Sequence, residues 1–304
     1  MRLKEWGAFW LLGIVWGSTF LWIKIGVGYL PPFTVAAIRQ LIGLAGLLVV
    51  LAVWKQPLPL DAVRLRLYAI QGTLQAGLPF ALIAWGETRI DSGLAAILNG
   101  TMPLFVILIA HFWLHDERIT PQRVLGLIVG FAGVLVLGSR DIGPGGLGAT
   151  AWGQVALLVA TMSYAAAATF SRRYLRGEPP LVQASMAVLM GDVFLWITVA
   201  AFERPLQVSP APMFWIAVGW LGLLASCLAY VLYFYLINVW GATRASVVTY
   251  VFPVVGLILG IVFMGERLDA RLTLGSLLVV SGIAVVGRAP LGRPDPTPAT
   301  AAVE

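Results

Sequence analysis

Two ionisable residues stand inside long apolar runs of this sequence, where charge is costly. Asp192 lies near the middle of one run, and Arg39 lies nearly two helical turns into another. An ionised side chain at the centre of a bilayer costs at least about 2.5–3.5 kcal/mol, so it usually faces a partner or a wet cavity. Asp192 is a candidate for binding a proton or an amine, or else it is a structural partner of a basic or hydroxyl group. Arg39 is a candidate for binding a carboxylate, or for pairing with a helix C-terminus or an interfacial acid.

Uncharged polar residues mark three further places that suit a solute. Gln75 is the second of two glutamines four residues apart, which a helix presents on one face. Asn99 and Thr249 each stand four residues before a proline, Pro103 and Pro253. Proline removes a backbone donor and clashes with the carbonyl four residues earlier. Each segment therefore offers a carbonyl group to a substrate, or it simply bends its helix.

Aromatic residues in the apolar runs supply a second kind of contact. Flat rings bind a substrate ammonium through cation–π interactions and form apolar walls. The alternative for each ring is packing, or a place in the aromatic belt at the membrane surface. The candidates are Trp16, Trp85, Tyr164 and Tyr230. Tyr250 is a further candidate for the binding site, because it stands with Thr249 in the segment before Pro253.

Motifs for metal binding or catalysis are weak or missing. His111 and His115 are four residues apart with Glu117 nearby, but they stand near the end of an apolar run, which favours an interfacial role. No His-Glu-x-x-His motif, Walker loop or Gly-x-Ser-x-Gly motif occurs. We therefore expect no metal site, no cofactor and no enzymatic activity.

Composition places these residues in a membrane protein. The chain has 304 residues, of which 60% are hydrophobic and 11% charged, against roughly 45–50% and about 25% in soluble domains. This fraction of charged residues is too small to cover the surface of a soluble protein. The net charge of +6 does not indicate nucleic-acid binding, because the basic residues stand mostly in short loops. The single cysteine, Cys227, excludes an intramolecular disulfide.

Ten apolar runs are predicted to span a bilayer, which needs about 20 apolar residues per helix. With the N-terminus inside, the twenty Lys and Arg residues divide thirteen to six between inner and outer segments, and Arg39 falls within a span. The positive-inside rule then places both termini in the cytoplasm. The tail, 289–304, is rich in Pro and Ala and is predicted to be disordered. The predicted spans are 6–28, 33–54, 67–86, 93–114, 122–138, 151–171, 182–202, 213–237, 243–264 and 270–288.

The second half of the chain repeats the first. SGLAAILNGTMP at 92–103 aligns with ATRASVVTYVFP at 242–253, and the dipeptide Glu-Arg that begins at Glu117 recurs at Glu266. The unit is about 150 residues and five spans long, so its second copy enters the membrane inverted. We predict one five-helix repeat over 1–147 and an inverted one over 148–288. Inverted repeats are common in carriers that hold substrate where the halves meet. The repeated glutamates are predicted to hold the turn into the next span.

Several motifs together resemble the EamA family of the drug/metabolite transporter superfamily. They are Trp16-Gly17-Ser18-Thr19-Phe20 with Lys24, the pair Pro31-Pro32 followed by Arg39, and PLFVILIAHFWLHDERITPQRVLGLIVGFAGVLVL with its counterpart PVVGLILGIVFMGERLDARLTLGSLLVVSGIAVV. The resemblance covers residues 6–288. It implies a ten-helix carrier, often an exporter of small metabolites, with helices 1, 3, 4, 6, 8 and 9 around a central cavity. The second repeat departs from the first in having Ala187 where Arg39 would recur.

We therefore predict an all-α polytopic membrane protein that exports amino acids or related amphipathic metabolites by alternating access. The alternatives are a carrier of sugar phosphates or nucleotide sugars and a channel-like uniporter; sparse charge in the spans argues against a polyanionic cargo. The expected partners are a small-molecule substrate and membrane lipid, with neither nucleic acid nor an obligatory protein partner. The expected location is the bacterial cytoplasmic membrane.

Overall fold

A computed structural model describes residues 3–113, 120–138, 142–143, 146–203, 211–240, 246–267 and 269–287. Nearly all of these residues are helical. Seven helical segments are long and apolar enough to cross a bilayer: Leu3–Val27, Pro32–Val53, Ala62–Glu87, Ser92–Trp113, Ala149–Tyr174, Pro180–Phe202 and Pro212–Tyr233. Three shorter apolar helices cover Pro121–Leu137, Val248–Met264 and Ala270–Val285. The architecture is that of a multi-pass membrane protein.

We label the helical segments α1 to α10 in chain order, and several of them are interrupted. The β-strands among the described residues are the short antiparallel pair β1 (Ile142–Gly143) and β2 (Gly146–Leu147), in which Ile142 pairs with Leu147. The helical segments are α1 (Leu3–Gly17 and Thr19–Val27), α2 (Pro32–Val53), α3 (Ala62–Gly72, Thr73–Gly77 and Leu78–Glu87), α4 (Ser92–Asn99 and Met102–Trp113), α5 (Pro121–Gly138), α6 (Ala149–Tyr174), α7 (Pro180–Phe202), α8 (Pro212–Gly219, Trp220–Leu228 and Ala229–Trp240), α9 (Ser246–Tyr250 and Val251–Met264) and α10 (Ala270–Gly287).

The helix bounds agree with the predicted spans to within three residues, except at the start of α3. That helix begins at Ala62 and not at residue 67. The Asp61 side chain accepts a hydrogen bond of 3.0 Å from the backbone N–H of Arg64 and so caps the helix. The cap extends the helix by a polar turn, which a prediction from hydropathy does not include.

Four of the interruptions lie at matching places in the two halves of the chain. Thr73–Gly77 in α3 and Trp220–Leu228 in α8 are π-helical. The helix of α4 breaks after Asn99, and α9 begins with a 3₁₀ turn at Ser246–Tyr250. The latter two precede Pro103 and Pro253, where proline was predicted to disturb the helix.

Two glycines allow long helices from opposite halves to cross closely. A Cβ atom placed on Gly43 of α2 would lie 2.6 Å from the Cβ atom of Ser226 in α8. One placed on Gly191 of α7 would lie 2.6 Å from the Cβ atom of Ala76 in α3. Side chains do not approach this closely, so both crossings require glycine. Gly191 stands 148 residues after Gly43, and Ser226 stands 150 after Ala76, so the two contacts lie at matching places in the two halves of the chain.

Helices α5 and α10 also approach each other closely through glycines at matching places in the two halves of the chain. A Cβ atom on Gly133 would lie 2.7 Å from the carbonyl oxygen of Gly275, and one on Gly282 would lie 2.7 Å from that of Gly126. Each glycine of α10 stands 149 residues after its counterpart in α5. These helices therefore touch backbone to backbone along a seam of small residues.

Carboxylates from distant parts of the chain cap two helix N-termini. Glu203 accepts hydrogen bonds from the backbone N–H groups of Phe33 and Thr34, at 2.9 and 2.7 Å, and from the Thr34 hydroxyl. Glu266 accepts from the N–H groups of Ser92 and Gly93, at 2.7 and 2.9 Å, and from the Ser92 hydroxyl. Anionic caps at these positions oppose the helix dipole.

The role of Glu266 therefore differs from the expectation that it holds the turn into the next span. Its partners belong to α4, more than 170 residues earlier in the chain. Its predicted counterpart, Glu117, lies outside the described residues. Glu266 ties the end of α9 to the start of α4.

Candidate functional site

A cavity of about 210 Å³ lies among seven of the helical segments. All six helices that the family resemblance implies contribute to it, and α2 adds Arg39. Pockets for drug-sized ligands occupy about 300–1,000 Å³, so this cavity suits a smaller solute. Its lining consists of Trp16, Thr19, Phe20, Ile23, Arg39, Gln75, Phe80, Ile83, Asn99, Met102, Tyr164, Ala225, Ser226, Tyr230, Tyr233, Thr249 and Phe252.

Most of the predicted site residues line this one cavity, although they come from distant parts of the sequence. The residues that line it are Trp16, Arg39, Gln75, Asn99, Tyr164, Tyr230 and Thr249. Their proximity is consistent with a shared role in binding a solute, and that role remains a prediction.

Three predicted residues lie elsewhere. The Arg89 guanidinium stacks 3.6 Å from the ring centroid of Trp85. Tyr250 packs against the largest buried cluster of the fold. Asp192 is buried in α7, where Trp196 hydrogen-bonds its carboxyl group and one carboxyl oxygen has no partner among the described residues. Asp192 does not face the cavity, and its predicted coupling role is untested.

Arg39 is the cationic group of the cavity. Its side chain is 6% exposed, and its guanidinium carbon lies 4.2 Å from the ring centroid of Phe80. The guanidinium Nε has no hydrogen-bond partner among the described residues. The ion pairs found in the described part of the chain both involve Arg64, so no described carboxylate neutralises Arg39 directly. A buried guanidinium in this state can bind an anionic group through hydrogen bonds.

The π-helical segment of α3 frees a backbone carbonyl beside the cavity. Within it the N–H of Leu78 bonds to the carbonyl of Thr73, five residues earlier. The carbonyl of Leu74 would need the N–H of residue 79, but Pro79 has none. The Ser163 hydroxyl of α6 donates to the Leu74 carbonyl instead, at 2.8 Å.

The π-helical segment of α8 makes the matching contact with α1. The indole N–H of Trp16 donates to the carbonyl of Ala225 at 3.0 Å. Trp16 also packs against the rings of Tyr233 and Phe252, with centroids 5.3 and 5.6 Å away. Thus α1 is bonded to the irregular helix α8, and α6 is bonded to the irregular helix α3.

Polar groups around the cavity are few and mostly fixed. The side chains of Gln75 and Tyr230 hydrogen-bond each other. The amide oxygen of Asn99 is buried without a hydrogen-bond partner among the described residues. An acceptor in this position suits a ligand ammonium or hydroxyl group, because an unpaired buried polar atom costs about 1–3 kcal/mol.

Helical periodicity explains several lining residues that the sequence analysis did not select. Thr19, Phe20 and Ile23 follow Trp16 by three, four and seven residues, so they share its face. Phe252 follows Thr249 by three residues, whereas the selected Tyr250 points about 100° away. Applying this spacing to each candidate would have found all four.

The spacing in α3 is irregular, and the π-helical segment is the reason. Phe80 follows Gln75 by five residues in place of four, and Ile83 then follows by three. Trp85 consequently lies on another face. A sequence read with regular α-helical periodicity places residue 79 in the cavity and misses Phe80.

Metal chemistry finds no support in the described residues, which contain no cluster of three His, Cys, Asp or Glu side chains. Of the weak metal pattern noted in the sequence, His115 and Glu117 lie outside the described residues. The site contains one cation, several rings and a few amide or hydroxyl groups. These groups can bind an amphipathic organic solute.

Known proteins share both the sequence pattern and the fold. The model of the EamA-like transporter family matches the chain twice, over residues 5–139 and 151–288. The uncharacterized transporter YoaV of Bacillus subtilis (strain 168) is 28% identical over 89% of this chain and 92% of its own length. The uncharacterized inner membrane transporter YedA of Escherichia coli (strain K12) is 29% identical over 94% of this chain and 92% of its own.

A solved crystal structure shares the fold. It superposes with a TM-score of 0.65 at 21% sequence identity, covering 94% of this chain and 96% of that one. At this identity the likeness concerns the fold alone.

Proposed function

Because the chain belongs to the EamA-like transporter family, we propose that this membrane transporter is a secondary carrier that exports amino acids or related small amphipathic metabolites. The observation that carries the proposal is the cavity around Arg39, which combines one unneutralised cation with aromatic walls. The proposed location is the bacterial cytoplasmic membrane, in keeping with the inner-membrane relative.

Arg39 accounts for the acidic end of such a cargo. A buried charge without a partner is strongly unfavourable, so a carboxylate that pairs with Arg39 gains more than one that pairs at a surface. The planar guanidinium can hold a carboxylate through two parallel hydrogen bonds. Its stacking on Phe80 fixes the plane of that fork.

Other residues that line the cavity suit the amino group and an apolar side chain of the cargo. Tyr164, Tyr230 and Trp16 present rings, which attract an ammonium by cation–π interaction. The buried amide oxygen of Asn99 is an acceptor for an ammonium N–H. A zwitterion with one carboxylate and one ammonium therefore satisfies groups that the protein leaves unsatisfied.

The runner-up cargo, a sugar phosphate or nucleotide sugar, fits this lining less well. A phosphate carries more charge than a carboxylate and is typically held by several basic groups. Arg39 is the only Lys or Arg among the residues that line the cavity. A channel-like uniporter is the second alternative, and it predicts flux that does not saturate.

We also propose ten spans in two inverted five-helix repeats, 1–147 and 148–288, with both termini in the cytoplasm. Two separate family matches support this division. The paired glycine contacts described above support it independently, because they recur at offsets of 148–150 residues. Inverted repeats give a carrier two alternative access states around one site.

The experiment is a transport assay with a matched tryptophan control. Cells that overproduce the protein should tolerate toxic amino-acid analogues better and accumulate less labelled amino acid than controls. Trp16→Ala should abolish the effect or alter cargo preference. Trp152→Ala, on an exposed position of α6, should leave it unchanged. Proteoliposomes that move phosphorylated sugars but show no saturable amino-acid flux would disprove the cargo assignment.

A further inference from the structure

Glu87, the last residue of α3, is a fully buried carboxyl group that the cavity does not account for. Its side chain is 0% exposed, and neither carboxyl oxygen has a hydrogen-bond partner among the described residues. Burial of an ionised carboxylate without a donor costs several kcal/mol. This packing therefore suits the neutral, proton-bound form of Glu87.

Glu87 stands next to the cavity along the helix axis. It follows Ile83, a lining residue, by four positions, so it lies on the same helix face about 6 Å further along. Lys24 likewise directly follows Ile23, another lining residue. In the proposed topology this direction leads to the outer surface, so Glu87 lies between the cavity and the outside.

The end of the molecule around Glu87 is closed. The Lys24 ammonium donates to the carbonyls of Glu87 and Ile90, at 2.7 and 2.6 Å, which joins α1 to the end of α3. Ile90 is 2% exposed and packs against Gly153 of α6. The bonds from α4 to Glu266 close the same end.

None of the charged neighbours supplies a hydrogen bond to the Glu87 carboxyl group. Lys24, Glu266 and Arg39 are the groups that act on it electrostatically. Lys24 and Glu266 are engaged with backbone groups, as described. On the same segment, Arg89 stacks on Trp85. Asp91 is exposed, and Asp192 on α7 bonds to Trp196.

We propose that Glu87 is a proton-binding residue of the transport cycle. The outer end of α1, α3, α4 and α6 closes over Glu87 after the carboxylate has taken a proton from external water. Separation of these helices admits water, which can solvate the ionised carboxylate, and an opened Glu87 releases its proton. The inference rests on the proposed alternating access, but not on the identity of the cargo.

The test measures closure without any cargo. In a Cys227→Ser background, Ile90→Cys places a lone thiol at the closed end, and its maleimide labelling rate is followed in the purified protein from pH 5.5 to 8.5. Each rate is divided by that of the same variant after denaturation in SDS, which removes the pH dependence of the thiol itself. One linked proton changes an equilibrium at most about tenfold per pH unit.

The expected result is a normalised rate that rises at least about tenfold across this range. Glu87→Gln should keep it low and independent of pH. Glu87→Met, which introduces an apolar side chain of similar length, should also give a low labelling rate that does not depend on pH. It replaces the Gln variant in the test if that variant does not fold. Asp91→Asn, which removes a neighbouring exposed acid, should behave as the parent.

A flat parent profile, or a pH dependence that survives both Glu87 substitutions, overturns the proposal. A failure of the proposed function would be seen in a different measurement, the flux of amino acids. Absence of amino-acid flux in proteoliposomes leaves the labelling profile intact, whereas a flat profile leaves cargo transport untouched.

Discussion

Arg39→Met offers a direct test of how the cavity recognises its cargo. The substitution removes the charge and keeps an apolar side chain of comparable length over Phe80. A buried charge without a partner is unfavourable, so replacing it by a well-packed apolar group removes that cost. The variant should therefore fold and reach the membrane at least as well as the wild type. A role of Arg39 confined to structure predicts a loss of stability instead.

The magnitude follows from the contact that the substitution deletes. A hydrogen bond to a charged group contributes about 1.5–3 kcal/mol. Since 1.4 kcal/mol corresponds to a factor of ten, KM for a carboxylate cargo should rise about 10- to 150-fold. Arg39→Lys keeps the charge but loses the planar fork, so its KM should lie between those of the wild type and the Met variant.

The assay compares initial rates in proteoliposomes for an amino acid and for its decarboxylated amine. The difference between wild type and Arg39→Met should vanish for the amine, which has no carboxylate to pair. Arg66→Met, at an exposed position of α3, is the matched control and should change neither KM. An equal loss for both compounds would refute the pairing of Arg39 with the cargo carboxylate.

Four further expected outcomes concern the packing of the helices and their topology. Gly282→Ala would place a Cβ atom 2.5 Å from a backbone nitrogen of α5, and it should cost about 1–3 kcal/mol in thermal unfolding. Gly219→Ala, with no atom within 4 Å, should instead stabilise α8 by about 0.5–1 kcal/mol. Glu203→Gln weakens the cap of α2 and should lower stability by about 1–3 kcal/mol in the same assay; an unchanged melting temperature would contradict the cap. In a chain without its native cysteine, Gln56→Cys should react only from the inner side and Arg267→Cys only from outside, and equal access would reject the proposed topology.

Hydropathy and proline placement predicted the helices well, because both report on the chain locally. The exceptions depend on contacts that sequence does not display. The cap of Asp61 extended α3 by a turn, and the π-helical segments form where Gly43 and Gly191 let a neighbouring helix approach. Those approaches join residues about 115 to 183 positions apart, and no local pattern specifies them.

Sequence alone predicted those lining residues whose type is unusual in an apolar run, and it missed residues whose type is common at their position. Arg39, Asn99 and Tyr164 are conspicuous in apolar runs, and the fold brings them together. Glu87 was missed because the predicted span ended one residue before it, which made it resemble a loop acid. The charged groups that act on it electrostatically, Lys24, Arg39 and Glu266, are all remote in sequence.

The glycine crossings have a consequence for how the chain is made. Most of the extensive packing in the described residues joins helices from opposite halves, among them α5 with α10, α2 with α7 and α8, and α4 with α9. At about 5–20 residues per second, translation of the second 150 residues takes about 8–30 s. During that interval α1 to α5 have been inserted while most of their partners are still unsynthesised, and their small-residue grooves face lipid. Ribosomes that stall in the second half should therefore yield a fragment that membrane proteases remove, and supplying the missing half from a second gene should rescue it.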